Sequence, residues 1–119
     1  MPVRSLNSSV LVWPDRERVD QAARRWAAEE LRQRPALRRL GYFGSYARGD
    51  WGIGSDLDLV AVVAEATESF DRRALAWDLL VLPVPAEILV YTEAEWRTLV
   101  DRGGRFAQTL EQEVVWIFP

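Results

Sequence analysis

The 119 residues fit one compact domain, and the 49% apolar content with six Trp is typical of a packed globular protein. The absence of His, Cys and Lys excludes thiolate nucleophiles, Ser-His-Asp relays, the common zinc sites, Walker-type phosphate loops and Schiff-base chemistry. The net charge of -3 argues against a broad surface for nucleic acid, and the groups left for catalysis are carboxylates, Arg, hydroxyls, backbone N–H groups and hard cations, chiefly magnesium.

A long first helix is predicted near the start of the chain. Residues 14–17 supply Pro, Asp and Glu, which suit a first helical turn because acids favour the positive end of the helix dipole. Apolar residues then recur at intervals of three and four, and Pro35 predicts an end near Arg34. The eight Arg among residues 16–39 indicate a solvated helix face, with a surface for an acidic protein or RNA as the alternative.

Two strands and a short helix are predicted next. Leu37–Phe43 has the apolar content of a short strand, which Gly44 ends, and a short helix is expected over Ser45–Arg48. Leu57–Val63 is the clearest strand, because an almost wholly apolar run is typical of a central strand that is buried on both faces.

The second half of the chain is predicted to continue the alternation of helices and strands. Helical spacing covers residues 69–80, with an apolar side made by Phe70, Ala74, Trp77 and Leu80. An extended linker is predicted at 83–85, and a strand over 87–91 follows it. The next helix is predicted to begin with a capping box at Thr92 and Glu95 and to end at Gly103. A short helix over 106–113 and a strand over 114–118 complete the prediction. The sequence therefore predicts an α/β fold, a small mixed sheet flanked by helices, in a single domain covering residues 1–119.

The compartment is indicated by what the sequence lacks. No apolar run approaches the roughly 20 residues that a membrane span requires. The apolar stretch at residues 10–13 is too short for a secretion signal and is followed by Pro14 and charged residues. Because the absence of Cys also fits a reducing compartment, we expect a cytoplasmic protein without a membrane partner.

The most informative segment is residues 44–58, GSYARGDWGIGSDLD, which ends in an Asp-x-Asp. Strand residues two apart point to the same face, about 6.5 to 7 Å apart, so Asp56 and Asp58 are expected to project together. Two such carboxylates can bind magnesium ions that complete their coordination with water and phosphate. An Asp-x-Asp alone is more often a pair of solvated acids at the end of a strand.

The Gly-Ser pair that precedes the acids favours a phosphate site. Gly44 allows the backbone to approach a phosphate without a Cβ, and Ser45 adds a hydroxyl donor at a helix start. Arg48 is expected to bind the same triphosphate or to brace the loop. Trp51, within the Gly-rich loop, is expected to stack on a base or partner, or else to pin the loop. Gly-Ser alone is most simply a strand-to-helix turn with a Ser cap, so the combination with the acids carries the prediction.

These residues resemble the nucleotidyltransferase superfamily typified by DNA polymerase beta, in its smallest form, the minimal nucleotidyltransferases. Gly44 and Ser45, the interval of ten residues, and Asp56 with Asp58 match the Gly-Ser-x10-Asp-x-Asp pattern of that family. The resemblance implies a fold like the palm of polymerase beta. It also implies transfer of a nucleoside monophosphate from a nucleoside triphosphate to a hydroxyl, with release of pyrophosphate.

The resemblance also assigns roles to individual residues. The implied nucleotide-binding residues are Gly44, Ser45, Arg48 and Ser55, and the implied catalytic residues and ligands of two magnesium ions are Asp56, Asp58 and Glu87. The family usually has Asp as its third carboxylate, on a neighbouring strand, and Glu87 is the candidate here. The longer side chain of Glu departs from that pattern, so a plain strand acid at this position is the alternative.

The resemblance further implies a protein partner. Minimal members are often encoded beside an RNA-cleaving toxin of the HEPN type, so this chain is expected to be an antitoxin that attaches AMP, taken from ATP or another triphosphate, to a hydroxyl of that toxin. The alternatives are a catalytically decayed module that inhibits its partner sterically, or a transferase for a small molecule or an RNA end. A homo-oligomer and a hetero-oligomer both stay open.

Overall fold

The computed structural model describes residues 13–118, and residues 10–12 of the apolar stretch near the start lie outside this range. In chain order the elements are helix α1 (Arg16–Gln33), strand β1 (Leu37–Phe43), helix α2 (Ser45–Arg48), strand β2 (Leu57–Val63), helix α3 (Phe70–Arg73), a 3-10 helix (Ala74–Ala76), strand β3 (Ala86–Thr92), helix α4 (Glu93–Arg102), helix α5 (Arg105–Glu113) and strand β4 (Val115–Phe118). The predicted α/β class is confirmed.

The four strands form one mixed sheet with the order β3-β2-β1-β4. β1 pairs antiparallel with β2 and with β4, whereas β2 pairs in parallel with β3. Every residue of β2 except Asp58 is buried, which confirms the prediction of a central strand covered on both faces.

Helix α1 covers one face of this sheet. It begins where the Asp15 side chain accepts a hydrogen bond of 2.9 Å from the Arg18 N–H, and it ends just before Pro35. Its buried apolar side chains, which join the same apolar cluster as Leu59 of β2, are Val19, Ala23, Trp26 and Ala27. Two of its exposed Arg side chains pair with acids of the same helix, Arg24 with Asp20 at 2.9 Å and Arg32 with Glu29 at 2.6 Å, in agreement with a solvated face.

Helices α4 and α5 lie on the opposite face. Because side chains alternate along a strand, Leu57 and Leu59 face α1 while Asp58 and Val60 face the other side. On that side α4 contacts β2 and β3, and α5 buries Ala107 and Leu110. The one polar residue of β2 therefore lies on the face that α4 and α5 cover.

The predicted helix over residues 69–80 is wrong in its extent. Its α-helical part ends at Arg73, and one 3-10 turn follows. Trp77 then has an extended backbone, with φ -104° and ψ 133°, and its buried ring packs against Trp26 of α1. Leu80, which was expected on the apolar side of a helix, is 95% exposed. Packing of Trp77 on α1 thus overrides the local helical spacing.

The other predicted elements are confirmed to within a residue or two at their ends. Both hydrogen bonds of the capping box between Thr92 and Glu95 are present, and Gly103 ends α4 in the left-handed conformation with φ 66°. Within residues 13–118, none of the helices has the length and apolar character needed to cross a membrane.

Candidate active site

The Gly-Ser turn connects β1 to α2. Gly44 has a φ of +83°, in the region that favours glycine, and it directly precedes the first residue of α2. The short helix closes at Gly49, whose φ is +91° and whose N–H donates a hydrogen bond of 2.9 Å to the Ser45 carbonyl. The turn is therefore held by glycines at both ends of a single helical turn.

Asp58 lies against this turn. It pairs with Phe43 in the β1–β2 register, one residue before Gly44. A Cβ placed on residue 44 would overlap the Asp58 Oδ2 and would lie 3.2 Å from its Cγ. The carboxylate thus faces the Gly-Ser turn, as the predicted site requires.

An open groove of about 420 Å³ joins these groups. Its lining residues are Phe43, Gly44, Ser45, Arg48, Asp56, Asp58, Phe106, Thr109 and Glu113. The structure therefore brings together Gly44, Ser45, Arg48, Asp56 and Asp58 from the predicted set. Their roles in binding nucleotide and metal stay predictions.

Ser55 and Trp51 have local structural contacts instead. The Ser55 Oγ accepts a hydrogen bond of 2.8 Å from the Gly52 N–H, which closes the loop before β2. The Trp51 ring stacks on buried Tyr46 at 5.8 Å between ring centroids and 6° between planes. Neither residue lines the groove, and the stacking favours the interpretation that Trp51 pins the loop.

Glu87 lies beside Asp58 on the neighbouring strand. The parallel β2–β3 register pairs the two residues, and alternation places both side chains on the same face of the sheet. Glu87 is exposed and does not line the groove. Its assignment as a third catalytic carboxylate stays a prediction.

Burial and nearby like charges raise the pKa of Asp58 above its ordinary value. Burial of the carboxyl is the largest cause, and the charges of Glu87 and Asp56 follow. The positive charge of Arg48 opposes the shift. A cation at this position would relieve that repulsion.

The donor set suits magnesium in its chemistry. Asp56 and Asp58 offer carboxylate oxygens, the ligands that magnesium prefers, and the open groove leaves room for water and phosphate to complete the coordination. Among residues 13–118, no three acids are close enough together to hold a metal ion by themselves. The residues present therefore fit a magnesium ion that arrives with its substrate, held by two carboxylates.

Glu113 is a site residue that the sequence reasoning missed. Its Oε2 accepts a hydrogen bond of 2.7 Å from the Gly44 N–H, and its Oε1 accepts one of 3.2 Å from the Arg48 Nη1. It is also the last residue of α5, where a negative charge opposes the helix dipole. An acid at a helix C-terminus is the signal that should have drawn attention to it.

Comparison with known proteins agrees with this geometry. Residues 24–116, which include every predicted site residue, match the family described as nucleotidyltransferase domain. No curated protein matches the chain. A solved structure of a candidate nucleotidyltransferase from Sulfolobus solfataricus is 24% identical with a TM-score of 0.58, over 85% of this chain and 80% of that chain. It shows a shared fold.

A second solved structure, a toxin-antitoxin with AMP-PNP, is 17% identical with a TM-score of 0.47, over 80% of this chain and 72% of that chain. The family match covers well over half of the sequence, from within α1 to β4. The chain therefore belongs to the nucleotidyltransferase domain family.

Proposed function

We propose that this domain transfers a nucleoside monophosphate, specifically AMP from ATP, to a hydroxyl of a partner protein. The observation that carries the proposal is the contact of the Asp58 carboxylate with the Gly44 turn, in a groove that also contains Asp56 and Arg48. This groove sets acids beside donors for a phosphate chain, which is the arrangement that phosphoryl chemistry requires.

The groove residues divide the work between binding and reaction. The Gly44 N–H, the Ser45 hydroxyl and the Arg48 guanidinium are the donors for the triphosphate. Asp56 and Asp58 are the residues that would hold magnesium, which neutralises phosphate charge and makes the attacking hydroxyl more acidic. The acceptor oxygen forms a bond to the α-phosphorus, the bond from that phosphorus to the pyrophosphate oxygen breaks, and a carboxylate of the groove takes the hydroxyl proton.

A protein acceptor is favoured over a polynucleotide. The net charge of -3 and the acids of the groove oppose a second polyanion. The exposed side chains of Leu75, Leu80 and Val81 provide apolar surface for a protein contact. We propose a HEPN-type toxin as the partner, which would make this chain its antitoxin. That identity rests on the motif resemblance.

The test is an AMP-transfer assay with intact-mass detection. The chain, magnesium, labelled ATP and the product of the adjacent reading frame are mixed, and one or more AMP units are expected on that partner. A variant with Asp56→Asn and Asp58→Asn is expected to show no transfer. Asp101→Asn makes the same kind of substitution once, at an exposed position on α4, and serves as the control for loss of a carboxylate outside the groove. Transfer by the double variant would refute the assigned site.

A catalytically decayed binding module is the second candidate. It is favoured by the exposed Glu87 at the position of the third acid and by the absence of a three-acid cluster among residues 13–118. For this candidate we expect a stable complex with the partner and loss of partner activity, without any gain of mass. Offering RNA or small hydroxyl compounds as acceptors in the same assay tests the remaining transferase substrates.

A further inference from the structure

The Glu113 carboxylate binds the Gly-Ser turn with both of its oxygens. One oxygen accepts from the Gly44 N–H at 2.7 Å and the other from Arg48 at 3.2 Å. The side chain is only 12% exposed, although Arg48 itself is 48% exposed and also pairs with Asp50. An acid from α5 therefore already occupies two of the donors at the groove, the Gly44 N–H and one N–H of Arg48.

The proposed function assigns these two donors to the triphosphate, together with the Ser45 hydroxyl. A backbone N–H makes one strong hydrogen bond at a time, so a phosphate oxygen can bind Gly44 only after Glu113 has left. We propose that Glu113 is an internal competitor of the nucleotide, an anion that holds the Gly44 and Arg48 donors until a substrate displaces it. This inference rests on the proposed function.

The position of Glu113 in α5 adds a cost to that displacement. The carbonyl end of a helix carries partial negative charge, which disfavours a carboxylate there. In the free protein, Gly44 and Arg48 compensate for that charge. Once phosphate takes both donors, Glu113 is left at the negative end of α5 with the charge of Asp58 nearby. The last turn of α5, closed by the Val114 N–H to the Leu110 carbonyl at 3.0 Å, is then expected to loosen.

The test compares binding of two probes, MgATP and inorganic tripolyphosphate without metal, by isothermal titration calorimetry. Glu113→Gln keeps the size of the side chain but removes its charge, and it is expected to bind both probes about five- to tenfold more tightly than the wild type. Glu113→Ala removes the competing oxygens and is expected to bind both probes at least as tightly as Glu113→Gln does. The matched control is Glu111→Gln, which removes the charge of an exposed side chain on the same helix. It should change the affinity for either probe by less than about twofold.

A second measurement uses the unmodified chain. Hydrogen exchange of the amides in residues 110–114 is expected to become faster when MgATP binds, because Glu113 has lost its partners. Slower exchange there, or weaker binding by Glu113→Gln, would show that Glu113 braces the turn for the nucleotide and would overturn the proposal. Absence of any binding by all the proteins would overturn it as well.

The outcomes separate this inference from the proposed function. If the wild type transfers AMP but Glu113→Gln binds no more tightly, the competitor role fails and the transferase stands. If Glu113→Gln binds both probes more tightly but no protein transfers AMP, the competitor role stands and the transferase fails.

Discussion

The Asp58 carboxylate fills the space that a side chain on residue 44 would need, so the glycine and the acid fit together as a pair. Residue 44 also has a φ of +83°, which residues with a Cβ rarely adopt. Gly44→Ala is therefore expected to combine backbone strain with a steric clash and to lower the free energy of unfolding by about 2 to 4 kcal/mol. Urea denaturation measures this loss.

Gly54→Ala separates the two effects. Gly54 has a similar φ of +88°, but a Cβ there would meet no atom within 4 Å. The Gly54→Ala variant is expected to lose only the free energy that the left-handed backbone costs a residue with a Cβ, roughly 1 to 2 kcal/mol. Equal losses in the two variants would show that Asp58 places no steric demand on residue 44.

Neutralising Asp58 is expected to stabilise the free protein at neutral pH. Its pKa is raised by burial, and then by Glu87 and Asp56, so the folded protein binds this proton more tightly than the unfolded protein does. The stability that Asp58 contributes therefore falls as pH rises from 3.8 through the raised pKa. Asp58→Asn should be more stable than the wild type at pH 7, and the gain should vanish below pH 3.8. Denaturation at both pH values checks this.

The same variant is expected to lose ligand-induced stabilisation. MgATP at about a hundred times its dissociation constant should stabilise the wild type by about 2.7 kcal/mol. Measured by thermal denaturation, Asp58→Asn should gain little of this stabilisation from MgATP, because a proposed magnesium ligand is gone. Equal stabilisation of both proteins would place the metal elsewhere.

Glu95 is expected to make the fold sensitive to acid. Hydrogen bonds from Arg73, and then from the Thr92 backbone, lower the Glu95 pKa from 4.5 to about 2. A carboxyl with a lowered pKa stabilises the fold above its unfolded pKa, so this contribution is lost as pH falls from 4.5 towards 2. Glu95→Gln should lower the free energy of unfolding at pH 7 by about 1 to 2 kcal/mol, with the difference shrinking in acid.

The expected loss of unfolding free energy in Glu95→Gln is small because solvent screens the Glu95 side chain, which is 43% exposed. Arg73 also keeps its hydrogen bond to the Val90 carbonyl in the variant. Glu93→Gln is the matched control on the same helix. The ion pair of Glu93 with Arg38, at 3.8 Å, is exposed, so Glu93→Gln should change the free energy of unfolding very little. A comparable loss in both variants would contradict a special role for the Arg73 contact.

Glu87→Gln tests the third carboxylate. If Glu87 acts in the reaction, the variant should transfer AMP about a hundredfold more slowly, while Glu87→Asp keeps most of the rate. In either case the variant should be slightly more stable at neutral pH, because a charge that repels Asp58 is removed. An unchanged rate together with this gain in stability would identify Glu87 as a surface acid.

The sequence was sufficient to predict the sheet and most of the groove. An apolar run such as Leu57–Val63 has one stable place, the middle of a sheet, because both of its faces must be buried. Asp58 is the second residue of that strand, and Gly44 comes directly after the last residue of the neighbouring strand β1. These features depend on apolar runs and short motifs, which can be recognised in a single sequence.

Features that depend on distant contacts were not predictable in the same way. The helix over residues 69–80 ends early because Trp77 packs on Trp26, and the Trp26 indole donates to the Asp78 carbonyl at 3.0 Å. Glu113 reaches Gly44 across 69 positions of the chain. No local spacing encodes either contact, because each depends on how separate elements pack.

The pairing of Phe43 with Asp58 ties the groove to the strand alignment. A slip of one residue between β1 and β2 would turn Asp58 into the apolar layer beneath α1 and would expose Leu57 or Leu59 in its place. Burial of the core and assembly of the groove are therefore one cooperative event. Partly unfolded forms of the protein should have no residual activity, and loss of activity in denaturant should coincide with loss of the sheet.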